Sequence, residues 1–285
     1  MVQKTSSMGF PYGRFPADDY PPYGYLHTPT HTGLHPSGVV RSVPPLGFGL
    51  WTGGFRWYGM NQMRHINNYV CMALPSVKVN GLLLCEREDF DKAGIALVSR
   101  YHSANVLSYD FSAAGADFSF VWFLLHENAL ALKVILRGGL VACDVTIDIE
   151  QRYGMNGVRW WGADEATIRY KAPNLISKIL AYGDVFCLKA DIEPKEGVAA
   201  QMEEDLRAWQ RGEIPLDGGP RATRLPEPVS GALRFPKKLA AGEEYSFTVV
   251  LARGVNEKAA IHTADTGLPK ASASLAEKLE KDDAF

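Results

Sequence analysis

Residues 118–136 read FSFVWFLLHENALALKVIL, and this stretch decides the fold. Two apolar runs, 118–125 and 129–136, are separated only by His126-Glu127-Asn128. Short apolar runs joined by a few residues are typical of antiparallel β-hairpins. The stretch therefore predicts two paired strands and a protein built around antiparallel sheet.

Further short runs on both sides of this hairpin extend the strand pattern from about residue 37 to residue 190. VTIDIE (145–150) alternates apolar and polar side chains, as a half-buried strand does. GIALVSRYHS (94–103) and ANVLSYDF (104–111) are predicted to form a second pair. No helical pattern alternates with the strands, which disfavours a parallel βαβ sheet and indicates a sandwich or a barrel.

Two segments have helical character. In 198–213, Met202, Leu206 and Trp209 recur on one face, and Gly212 can end the helix. Near the C-terminus, Ser274-Leu-Ala-Glu forms a capping box that predicts a second helix. No cap follows that helix, which predicts a parent chain longer than these 285 residues, with a frayed natural tail as the alternative.

The composition is that of an ordinary globular protein and excludes several function classes. With a hydrophobic fraction of 46% and a formal net charge of -2, the chain has no basic field that would attract nucleic acid. No apolar run is long enough to span a membrane, and MVQKTSSMGF lacks the apolar region of a secretory signal. The four cysteines have no C-x-x-C spacing, and three of them lie in apolar strand-like runs, which predicts buried reduced thiols. Together with the absent signal, this predicts a cytoplasmic location.

The predicted architecture is mainly all-β: a large antiparallel two-sheet β-sandwich with one or two short helices. Residues 1–26, rich in Pro, Gly, Tyr and Phe, form an extended arm that is expected to lie against another surface. Residues 27–256 form the sandwich, with a helix near 198–212. Residues 257–285 form a helical tail or linker.

The segment HTPTHTGLHPSG spaces His27, His31 and His35 four residues apart, an interval that would stack three imidazoles on one face of a helix. Pro29 and Pro36 disfavour that helix because they lack an amide donor and clash with the preceding turn. No carboxylate or cysteine lies in the segment to complete a ligand set. We therefore expect a loop or an extended segment and no metal site.

Aromatic side chains provide the candidate carbohydrate-binding residues. PPLGFGLWTGGFRWYG (44–59) is rich in glycine, but it lacks the spacing and the following helix of a dinucleotide-binding loop. Flat aromatic rings can instead stack on a sugar ring, and the alternative is that they are buried in the core or an interface. The candidates are Trp51, Trp57, Tyr58, His65, Trp160 and Trp161.

A histidine facing a carboxylate could transfer protons at the anomeric carbon of a sugar. Candidate histidines beside predicted strands are His65, His102 and His126, and candidate carboxylates are Glu127, Glu150 and Asp110. Nothing in the sequence brings any pair together, and a structural role is the alternative for each residue. No hydrolase, zinc-protease, P-loop or kinase motif is present. The sequence therefore assigns no catalytic residue, metal ligand or cofactor.

The stretches PYGYLHTPTHTGLHPSGVVRSVPPLGFGLW (22–51) and EDFDKAGIALVSRYHSANVLSYDF (88–111) resemble the N-terminal β-sandwich of bacterial proteins of the six-hairpin glycosidase class. The resemblance covers most of residues 20–285. It implies a super-sandwich of the galactose-mutarotase-like type followed by an (α/α)6 barrel that carries the catalytic carboxylates. It further implies that the three spaced histidines lie in an interface loop at the mouth of a sugar-binding cleft.

These observations predict a non-catalytic N-terminal module of a glycoside hydrolase-like protein. It would support a carbohydrate site and dock an (α/α)6 catalytic domain, in cis or as a separate subunit. Two alternatives stay open. The first is a stand-alone sugar mutarotase- or epimerase-like enzyme, which needs a histidine and a carboxylate at one concave site. The second is a non-catalytic carbohydrate-binding module, which needs an exposed aromatic platform.

Overall fold

A computed structural model describes residues 15–16, 34–36, 48–51, 70–85, 87–96, 98–99, 106–126, 128–154, 165–179, 185–224 and 229–283. Within these residues the chain forms 17 strands and four α-helices. The strands are β1 (Phe15–Pro16), β2 (Leu34–Pro36), β3 (Phe48–Trp51), β4 (Val70–Val79), β5 (Leu82–Leu84), β6 (Val98–Ser99), β7 (Val106–Ala113), β8 (Ala116–His126), β9 (Ala129–Gly138), β10 (Cys143–Gly154), β11 (Glu165–Lys171), β12 (Asn174–Ile179), β13 (Val185–Ala190), β14 (Glu196–Ala200), β15 (Arg221–Arg224), β16 (Val229–Leu239) and β17 (Glu244–Gly254). The helices are α1 (Arg87–Ala93), α2 (Glu203–Arg211), α3 (Glu257–Gly267) and α4 (Ala271–Asp283), and a 3-10 turn at Leu268–Lys270 joins the last two.

The strands form two sheets in which the pairs between described strands are antiparallel. The large sheet has ten strands in the order β1-β6-β7-β8-β9-β17-β13-β12-β11-β15. The small sheet has seven strands, in the order β14-β16-β10-β4-β3-β2 with β5 beside β4. The hairpin predicted from 118–136 is confirmed as β8 and β9, with a bulge between Leu124 and His126. The predicted class, a mainly antiparallel two-sheet β protein with few short helices, is confirmed.

The main core lies between the two sheets. Side chains at alternate positions of a strand point to the same face. From β8, Phe118, Phe120 and Trp122 therefore face the small sheet, while Ile147 and Ile149 of β10 meet them from the other side. The apolar residues of the predicted hairpin supply one wall of this core.

Helices cover part of the outer face of the large sheet. Phe123 and Ala131 point away from the main core and lie in a second buried cluster that includes Ala260 and Ala264 of α3. Ala271, at the start of α4, belongs to the same cluster. Because both faces are covered where the two strands meet these clusters, residues 120–125 of β8 and 129–132 of β9 are continuous apolar runs.

The outer face of the small sheet is covered by α2. Leu206 and Trp209 of this helix are buried against Val198 and Ala200 of β14 and Ala232 of β16. Two of the three apolar residues that predicted the helix therefore form its buried face. The third, Met202, precedes the first helical residue and is 57% exposed.

The predicted start of the helix at residue 198 is wrong. Residues 196–200 form β14, which pairs with β16, and α2 covers only Glu203–Arg211. Val198 is buried beneath α2 as part of the sheet. Gly212 ends the helix as expected, with a positive φ of 86° that favours glycine.

Two other predicted boundaries differ from the structure. Of the described residues of the predicted strand, 94–96 and 98–99, Val98–Ser99 are in β6, whereas Gly94 donates its N–H to the carbonyl of Asp91 in a turn after α1. At the C-terminal end, α4 starts at Ala271, three residues before the capping box that predicted it.

The prediction of buried reduced thiols is confirmed for Cys85, Cys143 and Cys187, which are buried and form no disulfide. The side chain of Cys71 lies outside the described residues. Burial raises the pKa of the Cys187 thiol to about 12.

Cys187 is expected to resist alkylation in the native protein. Near pH 8 the thiol stays protonated, and the nucleophile in alkylation is the thiolate. Peptide mass mapping after iodoacetamide treatment should find Cys187 unmodified before unfolding and modified after it. Ser272→Cys, at an exposed position of α4, provides the reactive control. Equal labelling of both cysteines in the native state would contradict this account.

Candidate functional site

Strand register brings the starting points of two aromatic segments together at one end of the small sheet. Trp51, the last residue of β3, pairs with Val70, the first residue of β4. Val70 in turn pairs with Gly154, the last residue of β10. The segments 52–69 and 155–164 therefore leave the small sheet from neighbouring strands. We call the sheet end defined by Trp51, Val70 and Gly154 the aromatic end.

The aromatic candidates themselves are only partly described. The backbone of Trp51 lies in β3. Its side chain, and the whole of Trp57, Tyr58, His65, Trp160 and Trp161, lie outside the described residues. The aromatic end is thus defined by the strands that lead into these segments.

Most of the histidine candidates also lie outside the described residues: His27, His31, His65 and His102. His35 is in β2, where its backbone pairs with Gly49. His126 is exposed at the end of β8, and its Nδ1 accepts the N–H of Asn128 at 3.2 Å.

The described carboxylate candidates are not brought together with His126. Glu150 is in the small sheet and only 1% exposed, whereas His126 is in the large sheet. Asp110 is buried in β7 opposite Ser119, and the seven residues from Ser119 to His126 span about 23 Å of strand. Glu127 lies outside the described residues. The described candidates His126, Glu150 and Asp110 therefore do not form the histidine and carboxylate pair that a stand-alone sugar isomerase would need.

Glu150 is held in a buried polar cluster between the small sheet and α2. Arg207 Nη1 donates to Glu150 Oε2 at 2.9 Å and to Gln210 Oε1 at 2.6 Å. Gln210 Nε2 then donates to Ser76 Oγ on β4 at 3.0 Å. The carboxylate is thus engaged by a guanidinium and removed from solvent, an arrangement that orients α2.

A second buried ion pair lies beside the first. Arg234 on β16 donates two hydrogen bonds of 2.8 Å to the carboxylate of Asp148. The same guanidinium lies 3.5 Å from the ring centre of Trp209 on α2, a cation–π geometry. Burial raises the pKa of Asp148, and the hydrogen bonds from Arg234 oppose that shift. On the polar face predicted for VTIDIE, Asp148 and Glu150 are therefore buried, whereas Thr146 is half-buried.

A third polar group fastens α3 to the large sheet. Glu257, in the first turn of α3, accepts from Lys171 Nζ at 2.8 Å and from Arg169 Nη2 at 2.6 Å. The bond from Lys171 is the main cause of a lowered pKa for Glu257, and the bond from Arg169 acts in the same direction. Because the carboxylate is still 29% exposed, solvent screens these pairs.

Glu257→Gln is expected to lower the free energy of unfolding at neutral pH by about 0.5–1 kcal/mol. The folded-state pKa of Glu257 lies below its unfolded value, so the stabilisation is present above the unfolded pKa and is lost as pH falls through the folded pKa. Urea unfolding of both proteins should show the difference closing below about pH 4. Glu280→Gln, at an exposed position of α4, is the control. A difference that stays constant down to about pH 3 would contradict this assignment.

The described residues contain neither a cluster of metal ligands nor a membrane-spanning helix. No group of three or more His, Cys, Asp or Glu side chains is arranged there to hold a metal ion. None of the helices formed by these residues has both the length and the apolar character of a membrane span.

Comparisons with known proteins find likenesses among solved structures. No family model and no curated protein matches the chain. A protein named as a kojibiose phosphorylase, from the human microbiome, is 11% identical with a TM-score of 0.48, over 92% of this chain and 34% of its own. A bacterial glucoamylase complexed with acarbose is 12% identical with a TM-score of 0.49, and the match covers 97% of this chain and 37% of the glucoamylase. An aldose epimerase homologue from C. elegans is 8% identical with a TM-score of 0.38, and the match covers 55% of this chain and 68% of the homologue.

The chain spans about a third of the length of the first two structures. With identities of 12% or less and TM-scores below 0.5, these likenesses do not assign an activity to the chain.

Proposed function

We propose that this chain is the β-sandwich module of a glycoside hydrolase-like protein. In this proposal the aromatic end supports a carbohydrate-binding cleft, and the module docks an (α/α)6 catalytic domain in cis or as a separate subunit. The module itself supplies no catalytic residue and works in the cytoplasm.

The register of β3, β4 and β10 is the observation that carries the proposal. Adjacent strand ends give the segments 52–69 and 155–164 a common starting point on the small sheet. Those segments contain most of the aromatic candidates. Several rings displayed from one end of a rigid sheet would suit a ligand with apolar C–H faces and polar edges, which is the character of a sugar.

The engagement of the described carboxylates supports a non-catalytic role. Glu150 accepts from the buried guanidinium of Arg207, and Asp148 accepts from the partly buried guanidinium of Arg234, which packs on Trp209 of α2. A general acid or base must reach a reacting group within hydrogen-bond distance. Both carboxylates instead stabilise the contact between α2 and the sheet.

Calorimetric titration with a panel of neutral oligosaccharides tests the carbohydrate site. At least one oligosaccharide should bind saturably, and Trp160→Ala or Trp161→Ala should weaken that binding roughly tenfold. Leu140→Ser is the control, because Leu140 is 98% exposed in the turn between β9 and β10, at the opposite end of the sandwich. Failure of the whole panel to bind, or equal binding by all variants, would refute the site.

Polarimetry distinguishes this proposal from the mutarotase-like alternative. Freshly dissolved α-glucose or α-galactose should equilibrate with its β anomer at the uncatalysed rate in the presence of the chain. A rate that increases in proportion to protein concentration would favour a stand-alone enzyme.

A further inference from the structure

A groove of about 420 Å³ lies on the outer face of the large sheet, where α3 begins. Ala166 and Ile168 of β11 face the main core, so the alternate residues Thr167 and Arg169 face outward into the groove. Lys178, directly opposite Thr167 on β12, lies on the same face. The volume is in the range of small-molecule sites, which is about 300–1,000 Å³.

Positive charge exceeds negative charge at this groove. Arg169 and Lys178 line it, and Lys171 follows on the same face of β11. Glu257 is the carboxylate that lines the groove, and it is engaged by Arg169 and Lys171. Lys178 has no carboxylate partner in the ion pairs of the described residues.

Donor capacity remains on the cations that line the groove. Arg169 uses Nη2 for Glu257, and a guanidinium has five N–H donors in total. The ammonium of exposed Lys178 offers three more donors. Lys178 on β12 is the diagonal neighbour of Arg169 on β11. Diagonal neighbours on adjacent strands are roughly 7–8 Å apart. One anionic group with two or three oxygens can therefore accept hydrogen bonds from both side chains.

The groove also has an apolar edge. Val255, two residues before the start of α3, is 76% exposed and lines the groove together with Ile176 and Val185. An exposed apolar side chain beside two cations suits a ligand that has both an anionic group and a C–H face. A sugar ring that carries a carboxylate or phosphate combines these features.

We infer that this groove binds an anionic sugar, with the carboxylate or phosphoryl oxygens on Lys178 and Arg169 and the ring against Val255. The inference is independent of the carbohydrate site at the aromatic end. No residue that carries it belongs to the segments 52–69 or 155–164.

The test is a titration of the 285-residue protein with glucuronate, glucose 6-phosphate, inorganic phosphate and neutral glucose, monitored by the backbone amide NMR signals of β11 and β12. We expect saturable shifts with glucuronate, glucose 6-phosphate or both. These two probes distinguish a carboxylate from a phosphoryl group as the preferred anion. Lys178→Gln should weaken the binding roughly tenfold, and added salt should weaken it as well.

Two controls connect the result to this groove. Lys238→Gln removes an exposed lysine from β16 of the other sheet and should leave the affinity unchanged. Trp160→Ala should also leave it unchanged, which separates this groove from the aromatic end. No saturable shift with either anionic sugar, or an unchanged affinity in Lys178→Gln, would overturn the inference. Glucose or inorganic phosphate binding as tightly as the anionic sugars would also overturn it.

Discussion

Arg207→Ala is expected to lower the free energy of unfolding by about 3–5 kcal/mol. The guanidinium is the ion-pair partner of Glu150, whose side chain is 1% exposed beneath α2. Removing the arginine leaves a negative charge in a site that water does not reach, and that cost exceeds the loss of the hydrogen bond itself. Urea unfolding monitored by circular dichroism measures the change.

Two variants show whether the buried charge is the cause. Arg211→Ala removes the next arginine of α2, whose pair with Glu213 is about half exposed, and should cost less than about 1 kcal/mol. The double variant Arg207→Met with Glu150→Leu removes both charges and should recover most of the lost stability. The loss of unfolding free energy in the double variant is compared with the summed losses of Arg207→Met alone and Glu150→Leu alone. If the two are equal, the explanation by an uncompensated charge is wrong.

Trp122→Ala is also expected to lower the free energy of unfolding by about 3–5 kcal/mol, because it opens a large cavity between the sheets. Trp122 is fully buried, and its ring meets Tyr109 edge to face at 5.8 Å between centroids. Its Nε1–H donates to the carbonyl of Ala73 in β4 at 3.3 Å, so this side chain connects the large sheet to the small one.

Trp122→Phe separates the two contributions of this residue. Phenylalanine keeps most of the ring volume but has no N–H donor, so the carbonyl of Ala73 loses that hydrogen bond. The free energy of unfolding is therefore expected to fall by about 1–3 kcal/mol. Leu140→Ala, at a position that is 98% exposed, should change stability by less than about 0.5 kcal/mol. A Trp122→Ala variant as stable as the Leu140→Ala variant would contradict the placement of Trp122 in the core.

The hairpin of β8 and β9 was predictable because its signal is local. Two apolar runs with a three-residue connection leave few alternatives to antiparallel pairing. Most of the apolar face of α2 was predictable for the same reason, since Leu206 and Trp209 are close in sequence, but Met202 of the predicted face is exposed. The helix start was not predictable, because Val198 and Ala200 fit a helix by propensity and become a strand through their pairing with distant β16.

The burial of Asp148 and Glu150 depends on contacts across long sequence separations. Alternation in VTIDIE correctly indicates two different faces, but it cannot reveal that α2, more than fifty residues later, covers the polar one. The partners Arg207 and Arg234 carry no local signal that connects them to these carboxylates. The aromatic end was not predictable from local sequence either, because the neighbouring positions of Trp51, Val70 and Gly154 follow from sheet register alone.

The mass and composition of the native particle test the central claim, that this chain acts as a module beside a helical catalytic domain. The chain would be immunoprecipitated from its native cells, sized by blotting, and its partners identified by mass spectrometry. The account predicts either a polypeptide well above 31.4 kDa or a stoichiometric helical partner. A polypeptide of 31.4 kDa with no partner would contradict it.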